Sequence, residues 1–92
     1  MGYTGRMGTE EKSLMRLYQF EGCPYCKMVR QRMSELLLSY VAINVPQDRA
    51  LRDEVLRVSG QPSVPVLVDG DVVIADEDEI VAYLDKKYAK AR

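Results

Sequence analysis

The sequence contains no histidine and no tryptophan, and only one phenylalanine and two cysteines, in 92 residues. Without histidine, no residue of this chain supplies an imidazole as general base, proton shuttle or metal ligand. Two cysteines are too few for the disulfide framework of a small secreted domain, which usually needs four or more. Neither charge sign dominates: 13 basic and 14 acidic side chains leave a formal net charge of −1, so nothing here draws the chain to nucleic acid or anionic membrane. No apolar run approaches the ~18–20 residues of a membrane-spanning helix. Residues 1–13 are rich in Gly, Thr and charge and carry no apolar stretch. They are expected to form a flexible leader without a secretory signal, with the folded domain over 14–92 and a cytoplasmic, reducing location.

What is present is the balance of an ordinary globular chain, 47% apolar and 29% charged, of a length suited to one domain. Leu14–Phe20 is short and partly alternating and predicts a strand that stops at Glu21-Gly22. From Pro24 to about Ser39 the apolar residues Val29, Met33, Leu36 and Leu37 follow the helical period, and Pro24 suits the first helical position. Tyr40–Val45 is rich in β-branched residues and predicts a second strand, closed by Pro46. Asp48 is expected to cap a second helix with Leu51, Val55 and Leu56 on its apolar face and Ser59-Gly60 as its stop. Asp69-Gly70-Asp71 between Val64–Val68 and Val72–Ile74 predicts a hairpin. Asp76, with Glu79 three residues on, predicts the cap of a last helix reaching about Tyr88, with Ile80, Leu84 and Tyr88 on one stripe.

The order β-α-β-α-β-β-α implies an α/β fold: parallel strands joined by a right-handed crossover, then an antiparallel hairpin, in one four-stranded mixed sheet flanked by three helices.

The cysteines stand at Cys23-Pro24-Tyr25-Cys26, where the first strand ends and the first helix begins. The first helical N–H groups lack internal partners and the helix dipole is positive there, so a thiolate at Cys23 is stabilised in place to attack a disulfide. Cys26, one turn further in, is a neighbour on the same face and can displace a mixed disulfide from Cys23. Two simpler readings stand beside this one. A structural staple closing so short a loop contributes only about 2 kcal/mol in the chain-entropy model. A zinc site asks for four ligands where the chain offers two thiols.

Strand, Cys-Pro-Tyr-Cys and helix together resemble the active site of a dithiol glutaredoxin. Gly60-Gln61-Pro62-Ser63-Val64-Pro65 resembles the stretch leading to that family's cis-proline, and Asp69-Gly70, Val73-Ile74 and the acidic helix start resemble its glutathione-binding end. The last third is also similar to the N-terminal domain of glutathione transferases, which share the fold. The resemblance implies a thioredoxin-like (glutaredoxin) fold, catalytic Cys23 and Cys26, a cis Pro65 facing them, and Val64 offering its backbone to the cysteinyl part of glutathione. It implies Tyr25 and Gln61 as groove walls, with Glu77 and Asp78 at the helix start that receives the γ-glutamyl end. Read bare, Pro65 marks an edge strand, Tyr25 an exposed helix residue, and Glu77 and Asp78 ordinary first-turn acids.

The implied activity is reduction of protein disulfides or glutathione mixed disulfides. Glutathione is the expected co-substrate, no tightly bound cofactor or metal is expected, disulfide-bearing proteins are the expected partners, and the chain is expected to be a monomer. Three positions depart from the family pattern. Phe20 stands where a lysine is common, Pro62 where a basic residue often follows the glutamine, and Ala75-Asp76 where a glycine pair is usual. Glutathione is anionic, so these changes are expected to weaken its hold unless Lys27 and Arg30 compensate. Two alternatives therefore stay open: a redoxin served by a thioredoxin-reductase-type donor, and a [2Fe–2S] carrier using Cys23 with small-thiol ligands. A non-catalytic interaction module is a third.

Overall fold

The computed structural model describes residues 14–89; the expected leader, residues 1–13, lies outside them. Four strands form one mixed sheet: β1 (Met15–Gln19), β2 (Tyr40–Asn44), β3 (Val66–Asp69) and β4 (Val72–Ile74), in the order β2-β1-β3-β4. β1 and β2 run parallel with Met15 opposite Tyr40 and Gln19 opposite Asn44. β3 is antiparallel to both β1 and β4. Three helices complete the fold: α1 (Pro24–Glu35), α2 (Asp53–Ser59) and α3 (Glu77–Tyr88), with a short 3₁₀ turn at Arg49–Leu51. None of the helices among the described residues is long and apolar enough to cross a membrane.

The period-2 alternation of the central strands divides the core into two layers. Met15 and Leu17 of β1 and Leu67 of β3 face α1 and α3, where they pack with Val29, Met33, Leu36, Ile80 and Leu84. Tyr18, Val66 and Val68 face the other way and pack with Val55 of α2. Burying each such side chain contributes about 1.5–3 kcal/mol before chain entropy is counted. Gln19 is in phase with Met15 and Leu17, so a polar side chain enters the α1 face of the sheet, 3% exposed.

The fold matches the expected order of elements, with two local corrections. α1 ends at Glu35 rather than Ser39. Leu37 adopts a left-handed conformation at φ 58°, its N–H donates to Ser34 O, and the Leu38 N–H donates to Met33 O. This is the Schellman ending, with leucine where glycine is usual. It turns Leu37 outward, 76% exposed, while Leu36 and Leu38 stay on the core. A periodicity argument counts all three leucines as helical because it does not see the reversal.

The second correction concerns Asp48. Its carboxylate accepts from the Ala50 N–H and caps the 3₁₀ turn, whereas α2 starts at Asp53 with Arg52 at the N-cap position and no side-chain cap. Of the expected apolar face only Val55 is buried; Leu51 and Leu56 are exposed. The α2 stop at Gly60 (φ 84°) and the Asp76 cap, which accepts from the Glu79 N–H at 3.0 Å, are as expected. The hairpin also forms, with Asp69 opposite Val72 and Gly70 at φ 62°. Gly70-Asp71 are thus the two turn residues, glycine in the first central position as a II′ turn requires.

Candidate active site

Cys23 sits at the hinge between β1 and α1. Its N–H closes a turn on Phe20 O at 3.2 Å, its own backbone is extended (φ −80°, ψ 118°), and its C=O accepts the first helical bond from Lys27 N–H. Pro24 occupies the first helical position, where a missing N–H costs nothing. The Cys23 sulfur takes the place of a capping oxygen and accepts the Cys26 N–H at 3.2 Å. Both thiols are free, Cys23 is 5% exposed and Cys26 fully buried. Burial pushes the Cys26 thiol up to about 12, and its hydrogen bond to Cys23 adds to the shift; the Phe20 backbone and the Arg30 charge pull the other way. Cys26 therefore holds its proton tightly at rest.

A groove of about 320 Å³ opens beside Cys23, lined among others by Phe20, Tyr25, Arg49, Arg52 and Val64. The Val64–Pro65 peptide is cis. Of the residues expected at the site, Cys23, Tyr25 and Val64 share this groove, while Pro65, next in the chain, is fully buried and does not line it. Gln61 is exposed and donates to Ala75 O at 3.2 Å, tying the loop before β3 to the entry of α3. Glu77 is half-buried in the first turn of α3, and Asp78 is exposed. Asp78 lines a different groove, between α1 and α3, with Met28, Arg32 and Val81.

The two cations named as able to compensate, Lys27 and Arg30, lie elsewhere. Lys27 is exposed on α1, and Arg30 turns toward Gln19 and Glu21. Neither lines the groove. Arg49 and Arg52 do, and sequence reasoning missed both. Arg52 is 6% exposed. Its guanidinium donates to Pro46 O at 2.7 Å, Pro62 O at 2.9 Å and Gln47 O at 3.0 Å, and lies 5.2 Å from the centre of the Phe20 ring. Among the described residues no carboxylate pairs with it. The groove thus contains a buried cation held by carbonyl dipoles, with positive charge to spare for an anion. Its signal in the sequence was weak, an arginine at the start of a short helix, which ordinarily marks a solvated face.

A parallel β-α-β unit, a hairpin, a cis-proline and a dithiol at a helix start define the class: this is a thioredoxin-like fold. Within that class, the family profile "Glutathione S-transferase, N-terminal domain" matches residues 17–92, and the chain belongs to that family. The transferase domain, named second to the glutaredoxins from the sequence, is thus the family that matches. Glutathione S-transferase 1 of Dianthus caryophyllus is 33% identical over 84 residues, covering 89% of this chain and 38% of that protein. An uncharacterized glutaredoxin-like 8.6 kDa protein in the rubredoxin operon of Clostridium pasteurianum is 28% identical over 75 residues, covering 79% of this chain and 100% of that one. Among solved structures, a glutathione transferase homolog from Drosophila mojavensis with bound glutathione superposes with a TM-score of 0.78 at 34% identity, covering 84% of this chain and 36% of the other. The chain thus spans little more than a third of the length of these two transferases.

Proposed function

We propose that this chain is a thiol–disulfide oxidoreductase that reduces protein disulfides or glutathione mixed disulfides through Cys23 and Cys26, with glutathione as co-substrate. The observation that carries the reading is the Cys26 N–H donated to the Cys23 sulfur at the start of α1, with a second buried thiol one turn behind. The Cys23 thiolate attacks a substrate disulfide, one thiolate leaves and takes a proton from solvent, and a mixed disulfide remains on Cys23. Cys26 then attacks the Cys23 sulfur, the second thiol departs, and a Cys23–Cys26 disulfide is left. Two small thiols return it to the dithiol, so two electrons pass to the substrate.

Glutathione is supported by the family, by the glutaredoxin-like relative and by a solved relative that binds it. Val64 lines the groove, which supports a role for its backbone in hydrogen-bonding an extended cysteinyl segment. Arg49 and Arg52 supply the positive charge absent at Phe20 and Pro62. The transferase relatives favour a second reading, conjugation of glutathione to an electrophile. The second thiol beside Cys23 favours the redox reading, since conjugation makes no use of it.

The test is turnover of a glutathione mixed disulfide with glutathione, glutathione reductase and NADPH, for the natural chain and for Cys23→Ser. Turnover that disappears in the variant supports the proposal. No turnover in the natural chain removes glutathione as donor and leaves the thioredoxin-reductase-type donor and the cluster-carrier readings.

A further inference from the structure

A resolving attack needs negative charge on the Cys26 sulfur, and Cys26 is fully buried, where charge is costly. Among the described residues, Arg30 is the cation whose charge acts on Cys26. Arg30 is one helical turn beyond Cys26 on α1, on the same face. Its Nη1 donates to Gln19 Oε1, and its Nη2 lies 3.8 Å from the Glu21 carboxylate. The Gln19 amide is oriented by its other end, which donates to Asn44 Oδ1 at 2.6 Å across the β1–β2 pair. Cys26 packs against the backbone of Phe20, the residue between these two contacts. Cys26 and Arg30, one helical turn apart, therefore both meet the three-residue segment 19–21, and the Arg30 charge acts on the buried thiol.

We propose that Arg30 is a positioning residue for the resolving step: clamped by Gln19, its guanidinium stabilises the charge that gathers on Cys26 as it attacks Cys23. The proposal rests on the reading of Cys26 as the resolving thiol. In that step the Cys26 proton passes to water, the Cys26–Cys23 bond forms, and the bond from Cys23 to the substrate sulfur breaks. The departing thiolate takes a proton from solvent; one disulfide replaces another. Among the described residues, the titratable and charged groups that act on Cys26 are Cys23 and Arg30 on α1. Glu21 stands behind Arg30 with its side chain 91% exposed, so solvent screens its pull on the guanidinium. From β2 the neutral Asn44 completes the cluster through Gln19.

A purely structural Arg30, present only to satisfy Gln19, would change stability and leave the chemistry of Cys26 alone. The two roles separate in stopped flow with 2,2′-dithiodipyridine, an uncharged disulfide that releases an absorbing thione at each step. The reduced natural chain is expected to release two equivalents, a fast phase from Cys23 and a slower one from Cys26 that Cys26→Ser removes. Arg30→Met is expected to slow the second phase roughly tenfold at neutral pH and move its pH midpoint upward by about one unit. The first phase stays unchanged, and Arg30→Lys recovers most of the loss. Arg30→Gln keeps an N–H donor for Gln19 while removing the charge, so its second-phase midpoint also moves upward; this variant carries the test if Arg30→Met does not fold. An unaltered second phase in Arg30→Met, equal slowing of both phases, or an Arg30→Gln midpoint that stays or falls overturns the proposal. A natural chain that shows one phase, indifferent to Cys26→Ser, overturns the dithiol reading itself and is recognisable without any Arg30 variant.

Discussion

The two ends of the sheet use similar polar parts to opposite ends. At the C-terminal end of β1, Cys23 caps a helix with a sulfur, and Arg52 sits in a groove with no carboxylate partner among the described residues. At the far end, where β3 turns into β4, three donors converge on one acceptor. Asp69 Oδ2 accepts from Tyr83 OH at 2.5 Å, Tyr88 OH at 2.6 Å and Lys87 Nζ at 3.1 Å, clasping the hairpin onto the last turns of α3. Lys87 also lies 5.3 Å from the centre of the Tyr88 ring. One end leaves charge and a nucleophile available; the other gathers three donors on one carboxylate oxygen. Reactivity and rigidity are thus placed about one strand length apart, and the clasped end holds the scaffold against which the thiols are aimed.

The sharpest way to break this contrast is to change one residue at each end. Cys23→Ser should remove disulfide-reductase turnover, by a thousandfold or more on the order expected for loss of a covalent nucleophile, with the thermal midpoint little changed. Asp69→Ala should do the reverse. Losing charge-assisted bonds from two tyrosines and a lysine should cost about 2–3 kcal/mol, roughly 10–20 °C in Tm by calorimetry. Alkylation of Cys23 by iodoacetamide should stay within about twofold of the natural rate, because the substitution is remote from it.

A gentler probe is acid. Burial raises the Asp69 carboxyl, but the hydrogen bonds from Tyr83, Tyr88 and Lys87 outweigh it and hold the group below its ordinary value. A depressed folded value means that the stabilisation is present above the unfolded carboxyl value, about 3.9, and is lost as pH falls through the folded one. Urea titrations below about pH 4 should therefore show stability falling in the natural chain and a flatter fall in Asp69→Ala. The smallest effect belongs to Leu37, whose left-handed backbone costs a leucine roughly 1–2 kcal/mol. Leu37→Gly relieves that cost and adds entropy to the unfolded chain, so a net gain of about 0.5–1 kcal/mol in urea unfolding is expected, with no change at either end of the sheet.

Legibility in the sequence followed the range of the interaction. The start of α1 at Pro24, the Asp76 cap and the hairpin are decided within a few residues, and each could be read from its own neighbourhood. The Asp48 cap is equally local, yet it closes a 3₁₀ turn, because the backbone at Arg52 (φ −97°, ψ 58°) breaks the helical path before α2. Arg52 and Asp69 were illegible for a different reason. The carbonyls that hold Arg52 come from both sides of it, Pro46 and Gln47 before and Pro62 after. The donors on Asp69 come from a helix that begins eight positions later. Of the site, Cys23, Tyr25 and Val64 were foreseen together from the family resemblance. Arg49 and Arg52, which give the groove its charge, were not, since no local pattern distinguishes them from solvated arginines.

The Gln19–Asn44 pair also acts on the chain before any chemistry begins. β1 and β2 are parallel and joined only through α1, so no tight turn sets their alignment. Side chains alternate faces along a strand, and a slip of β2 by one residue would carry the Asn44 amide to the α2 side of the sheet. Gln19 would then keep an unbonded amide N–H inside the layer built by Met15 and Leu17, at a cost of about 1–3 kcal/mol. An all-apolar edge would accept neighbouring alignments with little penalty. This pair works as a notch that admits a single register, and the residue that orients Arg30 in the finished protein also rejects misaligned sheets while the protein forms.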